Sequence, residues 1–220
     1  MKALLFGGSG MIGQGVLREL LSRPEVTQVI SVGRSALSQK HEKLGELLLK
    51  DLTEYSSAGA AFEGVDAVFF CLGISSGGVT EAEYRKISYD LPLAAAKALK
   101  AKSPGLTFCF ISGAGTDATE KGSAMWARVK GEAENALQKV GFKAVYCFRP
   151  GYIQPMDGIE SKTPSYKWMY VFTKPLYPLI KGLTKYVTST RQLGFAMVEV
   201  AKKGFGKPVL ESADINSVQA

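Results

Sequence analysis

Lys2-Ala-Leu-Leu-Phe6 runs directly into Gly7-Gly-Ser-Gly-Met-Ile-Gly13, and the helical spacing of Val16, Leu17, Leu20 and Leu21 follows without a break. A strand-like run, a glycine cluster and an amphipathic helix in that order open a βαβ unit, with G-x-x-G-x-x-G spacing at 7, 10 and 13. Each glycine has a task in such a turn. Gly7 permits the sharp exit from the strand, Gly10 lets backbone approach a pyrophosphate, and Gly13 lets the helix lie close to the sheet. A helix starting near Met11 directs its unpaired N–H groups and positive dipole end at the phosphates. The stretch points to a dinucleotide cofactor.

Working outward, Thr27-Gln-Val-Ile-Ser-Val32 reads as the next strand and ends in Gly33-Arg34-Ser35. A site for NAD usually carries an acidic residue about 20 residues past the glycines, to hold the ribose 2′-OH. Here Arg34 stands at the strand end with Ser35 beside it, and a guanidinium suits the 2′-phosphate of NADP. Residues 36–45 are polar and helix-compatible. Leu47–Leu49 reads as a third strand followed by Asp51-Leu52, and Val65–Leu72 as a fourth followed by Gly73 and a Gly/Ser loop. A helical pattern over about 80–102 contains Pro92, which either kinks it or opens its second half. Leu106–Ile111, a helix over about 123–140 and Ala144–Phe148 complete the series. Strands that alternate with helices at this spacing predict an α/β fold, a doubly wound parallel sheet in order 3-2-1-4-5-6.

Residues 1–150 read as the dinucleotide-binding core. Residues 151–220 read as a small C-terminal cap with a completing helix near 190–203 and a short strand near 208–210; 212–220 reads as a fraying tail. Net charge is +7, and between Ser161 and Val198 there are six basic residues and no acidic one. Aromatic residues crowd the same segment, so 162–185 is compatible with a lid over the sheet edge or with peripheral membrane contact. No nucleic-acid motif accompanies it.

No apolar run approaches the roughly 20 residues needed to span a bilayer. A first strand at residue 2 leaves no room for a leader ahead of the fold, and the expectation is a cytoplasmic protein. Cys71, Cys109 and Cys147 each lie in an apolar run and fit neither a disulfide framework nor a zinc site. His41 is the only histidine, so a His-based triad and a multi-histidine metal site are excluded.

Gly7–Gly13, Val32-Gly-Arg34, Asp51-Leu52, Cys71-Leu-Gly73, Ile111-Ser112, Lys130-Gly-Glu132 and Arg149-Pro-Gly151 together resemble the short-chain dehydrogenase/reductases. They are most similar to the atypical members of the epimerase/dehydratase-like, NADP-type group, such as the Tat-interacting-protein-like oxidoreductases. The resemblance implies a Rossmann-like core with the pyrophosphate at Gly7, Ser9, Gly10, Met11 and Ile12, and the 2′-phosphate at Arg34 and Ser35. It places adenine near Asp51 and Leu52. Cys71, Leu72 and Gly73 would line the cofactor, and Pro150, Tyr152 and Ile153 would border the nicotinamide. Ser112 matches the serine that hydrogen-bonds a substrate carbonyl. Lys130 matches the lysine that holds the nicotinamide ribose and activates a tyrosine four residues earlier.

That tyrosine is missing: the Y-x-x-x-K pattern becomes Trp126-Ala-Arg-Val-Lys130. The i, i+4 spacing keeps both side chains on one helix face, but an indole N–H only donates a hydrogen bond and cannot deliver a proton. Three readings stay open. The chain is an NADP(H)-dependent oxidoreductase of small carbonyl compounds with Ser112, Trp126 and Lys130 at its centre, a catalytically silent NADP(H)-binding protein, or a peripheral membrane protein. A monomer and a homodimer are equally compatible with the sequence.

The Arg34 reading has a direct consequence. A charge-assisted contact to the 2′-phosphate contributes about 1.5–3 kcal/mol, so NADP should bind roughly one to two decades more tightly than NAD. Calorimetric titration of both cofactors checks this, and Arg34→Ala should abolish the difference.

Overall fold

A computed structural model of the chain describes residues 1–160, 177–180 and 182–219. Its sheet contains β1 (Lys2–Phe6), β2 (Gln28–Gly33), β3 (Leu44–Leu48), β4 (Ala67–Phe70), β5 (Thr107–Ile111), β6 (Ala144–Arg149) and, later in the chain, β9 (Val209–Glu211). All pairings are parallel, in the order β3-β2-β1-β4-β5-β6-β9. The expected order is therefore present and is extended by β9 beside β6. Two short parallel strands, β7 (Tyr152–Gln154) and β8 (Val187–Ser189), pair separately.

Parallel strands buried on both faces need apolar residues at successive positions, and β1 supplies them. Leu4 and Phe6 join one core with Phe70, Phe108, Phe110 and residues of α3 (Leu91–Lys102) and α4 (Met125–Gln138). Ala3 and Leu5 join the other with Phe69, α1 (Met11–Ser22) and α5 (Thr190–Lys203). Each fully buried Leu or Phe contributes about 1.5–3 kcal/mol, so the two layers clamp the sheet in place.

Two local expectations are corrected. Residues 36–43 form turns instead of helix: the Leu37 N–H donates to Glu46 at 2.5 Å and the Lys43 N–H to His41 Nδ1 at 3.1 Å. The third strand accordingly begins at Leu44, where pairing with Val29 starts. Residues 212–217 do not fray: α6 (Ser212–Ser217) opens on a capping box between Glu211 and Asp214 and buries Ile215. Ser212 also accepts the Gly151 N–H at 2.8 Å. The 80–102 stretch is helical as expected, made of α2 (Glu81–Arg85), a π-helical turn at Lys86–Asp90 and α3, with Pro92 in the first turn of α3, where it opens the second half. The wide turn absorbs Pro92 without ending the helix. Most of the basic-aromatic segment 162–185 lies outside the described residues. No helix among the described residues is long and apolar enough to cross a membrane.

Helices α1 and α5 meet backbone to backbone. A Cβ on Gly15 would stand 2.6 Å from the Thr190 carbonyl oxygen, and one on Gly194 would stand 2.7 Å from that of Gly15. Gly194→Ala therefore sets a helix-propensity gain of about 1 kcal/mol against an overpacking cost of about 1–3 kcal/mol in a rigid contact. The variant should melt several degrees below the native protein; a higher melting temperature would show that the two helices separate freely.

Candidate cofactor site

The site is built where β1, β4, β5 and β6 end. After Phe6 the chain turns at Gly7, whose φ is +81° and whose missing Cβ would lie 2.9 Å from the backbone of Cys71 and Leu72. The Gly10 N–H donates to the Gly7 carbonyl at 2.9 Å, and Gln14 N–H to that of Gly10 at 2.9 Å begins α1. A Cβ on Gly13 would fall 2.1 Å from the Gly7 oxygen, so no other residue fits there. Gly10 caps α1 without a side chain, and the first turn holds no acidic residue. A glycine-rich cradle thus meets uncapped helical N–H groups and suits an anion. These features fit the pyrophosphate of a dinucleotide.

Neighbouring strand ends bring other expected residues to the same edge. The Cys71 N–H donates to Phe6, the Ser112 N–H to Phe148, and the Ala114 N–H to Pro150, each at 2.9 Å. Burial pushes the Cys71 thiol up to about 12, so it is a neutral wall. Arg34 and Ser35 lie exposed just past β2, and Arg34 makes no hydrogen bond or ion pair among the described residues. Asp51 accepts from the Thr53 N–H and hydroxyl at 2.8 Å each, which lowers its carboxyl below the usual range. Leu52 turns into the aromatic core. Tyr152 donates its hydroxyl to Gln154 at 2.8 Å, and Ile153 packs in the core beneath α5.

Helix α4 carries Trp126, Lys130 and Glu134 at successive i+4 positions. The Trp126 ring lies over the loop after β5; a Cβ on Gly115 would touch its Cη2 at 3.5 Å. That loop is pinned by Asp117, which accepts N–H groups of Thr119, Lys121 and Gly122 at 2.9, 3.0 and 2.6 Å. The Trp126 indole N–H has no partner among the described residues. Lys130 is 5% exposed; its ammonium donates to the Ile111 carbonyl at 3.0 Å and lies 4.8 Å from the Phe110 ring centre. Burial is the main cause that lowers it to about 8, and the charge of Glu134 opposes the fall.

Glu134 was not expected at the site. It is 2% exposed and accepts Arg149 Nε at 2.9 Å and Nη2 at 2.5 Å. It also accepts the Ser112 hydroxyl at 2.5 Å. The Phe148 carbonyl, at 3.2 Å, is the other acceptor for that hydroxyl. Ser112 has one proton to give, and both partners lie within the protein. Two signals were present in the sequence: a glutamate four residues past Lys130, on the apolar stripe of α4, and an arginine ending an apolar strand.

The buried lysine predicts a pH dependence of stability. Its folded pKa of about 8 lies below the ordinary lysine value of 10.5. Between those values the unfolded chain holds a proton that the folded chain has released, so stability rises with pH across that window. Below pH 8 the full cost of burying the charge is present. Lys130→Met should therefore melt higher than native at pH 7, by the equivalent of about 1–3 kcal/mol after loss of the Ile111 bond. The gap should shrink by pH 10. A variant that melts lower at pH 7, or a gap independent of pH, would contradict this.

Comparisons with known proteins agree with this geometry. Residues 7–162 match a family described as NAD(P)H-binding. Protein fmp52, mitochondrial, of Emericella nidulans is 31% identical over 157 residues, covering 68% of this chain and 65% of that protein. Protein HTATIP2 of Rattus norvegicus is 28% identical over 152 residues, covering 68% and 61%. The chain thus spans less than two thirds of the length of these two relatives. The Bordetella bronchiseptica enzyme WbmF, solved in complex with NAD+, has a TM-score of 0.66 at 15% identity, covering 98% of this chain and 76% of that one. At that identity the likeness is one of fold. A glycine cradle at the first strand end, the parallel sheet that carries it and the match over residues 7–162 make this chain a member of the NAD(P)H-binding family, with the Rossmann architecture of the short-chain dehydrogenase/reductases.

Proposed function

We propose that the chain binds NADP(H) and is an oxidoreductase of small carbonyl compounds in which Trp126 stands at the usual tyrosine position. The observation that carries the cofactor reading is the uncapped turn Gly7–Gly13, whose glycines at 7, 10 and 13 leave no room for a Cβ at 7 and 13. Arg34, exposed at the next strand end and without a partner among the described residues, favours NADP over NAD. When bound, the nicotinamide would supply a hydride to an acceptor. Lys130 keeps two ammonium protons beyond the one on Ile111 for ribose hydroxyls. Trp126, four residues earlier, offers an N–H to a carbonyl oxygen and a flat apolar surface to the group behind it.

Among the described residues this constellation binds and polarises but sets no tyrosine hydroxyl on the Trp126–Lys130 face, so the proton would come from the Lys130 ammonium or from water. A specific observation favours a second reading, a cofactor-binding protein without turnover: the Ser112 hydroxyl proton is already engaged by Glu134.

NADPH oxidation against a panel of aldehydes, ketones and quinones separates the two. Native protein should turn over slowly or not at all. Trp126→Tyr, once shown to fold by thermal melt, should gain activity, since a positioned acid contributes about 10²–10⁴-fold. Brisk native turnover that survives Trp126→Phe would overturn the tryptophan assignment. Silence in both native and Trp126→Tyr protein, with NADPH bound, would establish the second reading.

A further inference from the structure

We propose that Glu134 is a positioning residue of this site, one that holds Lys130 in its cationic form from the far side of α4's inner face. The proposal rests on the reading of Lys130 as a cofactor-facing group and adds the element that sets its charge.

The argument begins with the surroundings of the ammonium. Lys130 is buried with one carbonyl, Ile111, and one aromatic face, Phe110, as direct contacts. Neither carries a formal charge. The titratable groups that face it are Glu134 on its own helix, Cys71 after β4 and Cys147 on β6. Burial drives both thiols upward, so they are protonated and neutral at physiological pH. Glu134 is thus the one anion of this set. A buried ammonium without an anion nearby sheds its proton, so Glu134 decides whether Lys130 is charged in the neutral range.

Glu134 itself is held in place by its own partners. Arg149 grips both carboxylate oxygens from β6, and Ser112 donates from the end of β5. Arg149 in turn reaches Glu211 on β9 at 3.4 Å, which leads the network to the surface. Two strand ends, β5 and β6, therefore converge on one carboxylate that lies a single helical turn from Lys130, with β9 behind Arg149. A carboxylate needed only to neutralise Arg149 has no reason to share a face with the lysine; one that also tunes the lysine does.

The test follows the titration of the Lys130 side chain in the full, cofactor-free chain by NMR of its Cε and Nζ, assigned by the signal lost in Lys130→Met. Glu134→Gln should lower the Lys130 midpoint by at least about half a pH unit, roughly threefold in proton affinity. Glu134→Asp, which keeps the charge, should restore most of the difference. Ser112→Ala, which removes a hydrogen bond and no charge, should leave the midpoint in place. Should Glu134→Gln fail to fold, the double variant E134Q/R149M spares the Arg149 guanidinium the loss of its buried partner and should show a movement in the same downward direction. A midpoint unchanged in a folded Glu134→Gln or double variant would overturn the proposal. A second arm measures NADPH affinity from pH 6.5 to 9.5. The loss of affinity at high pH should begin at lower pH in Glu134→Gln than in native protein, and coincident profiles would also count against it. Native protein that binds no NADPH would refute the cofactor reading while leaving the lysine titration to judge Glu134.

Discussion

Contact between the Gly7 carbonyl and the backbone of Gly13 governs how the rest of the molecule can be assembled. With a Cβ at Gly13 only 2.1 Å from that oxygen, any side chain would push the first turn of α1 away from the exit of β1. The same displacement would lift the helix from the core in which Val16, Leu17 and Leu20 are buried. It would also part α1 from α5, because the Gly15 and Gly194 backbones touch with no slack. Closeness here does two jobs. It brings uncapped N–H groups to the strand edge where an anion can reach them, and it lets α5 complete the second layer over the sheet.

The opposite layer solves a different problem, that of keeping charge inside an apolar wall. Phe6, Phe70, Phe108 and Phe110 form a stack of aromatic faces beneath α3 and α4, and Lys130 projects from α4 over the last of them. Burying an ammonium there is unfavourable, as its lowered proton affinity records. Glu134 and Arg149 are buried or nearly so beside it, but as a bidentate pair they satisfy one another. A buried lysine that costs stability beside the strand ends is better explained by ligand binding than by folding.

Much of this was legible in the sequence, for identifiable reasons. Continuous apolar runs such as Leu106–Ile111 announce strands covered on both faces, and the glycine spacing at 7, 10 and 13 carries its own steric logic. The errors fall where local signals are weak. Residues 36–43 are polar enough for a helix, but side-chain bonds from Glu46 and His41 hold them as turns. Ser212–Ser217 is too short to show a helical period and depends on Ile215 and Ser212 meeting the body of the protein. At the site, spacing was enough to place Trp126 and Lys130 on one face. What spacing could not reveal is that the Ser112 hydroxyl turns toward Glu134, because that depends on Arg149 arriving from another strand.

Crystals grown with NADPH give the most direct measurement of the central claim, that the glycine turn is a nicotinamide-dinucleotide site. Density should show the pyrophosphate on the N–H groups of the Gly7–Gly13 turn, the 2′-phosphate against Arg34, and the ribose of the nicotinamide half within hydrogen-bond reach of Lys130. Cofactor bound elsewhere on the chain, or a turn that stays empty at saturating NADPH, would contradict it.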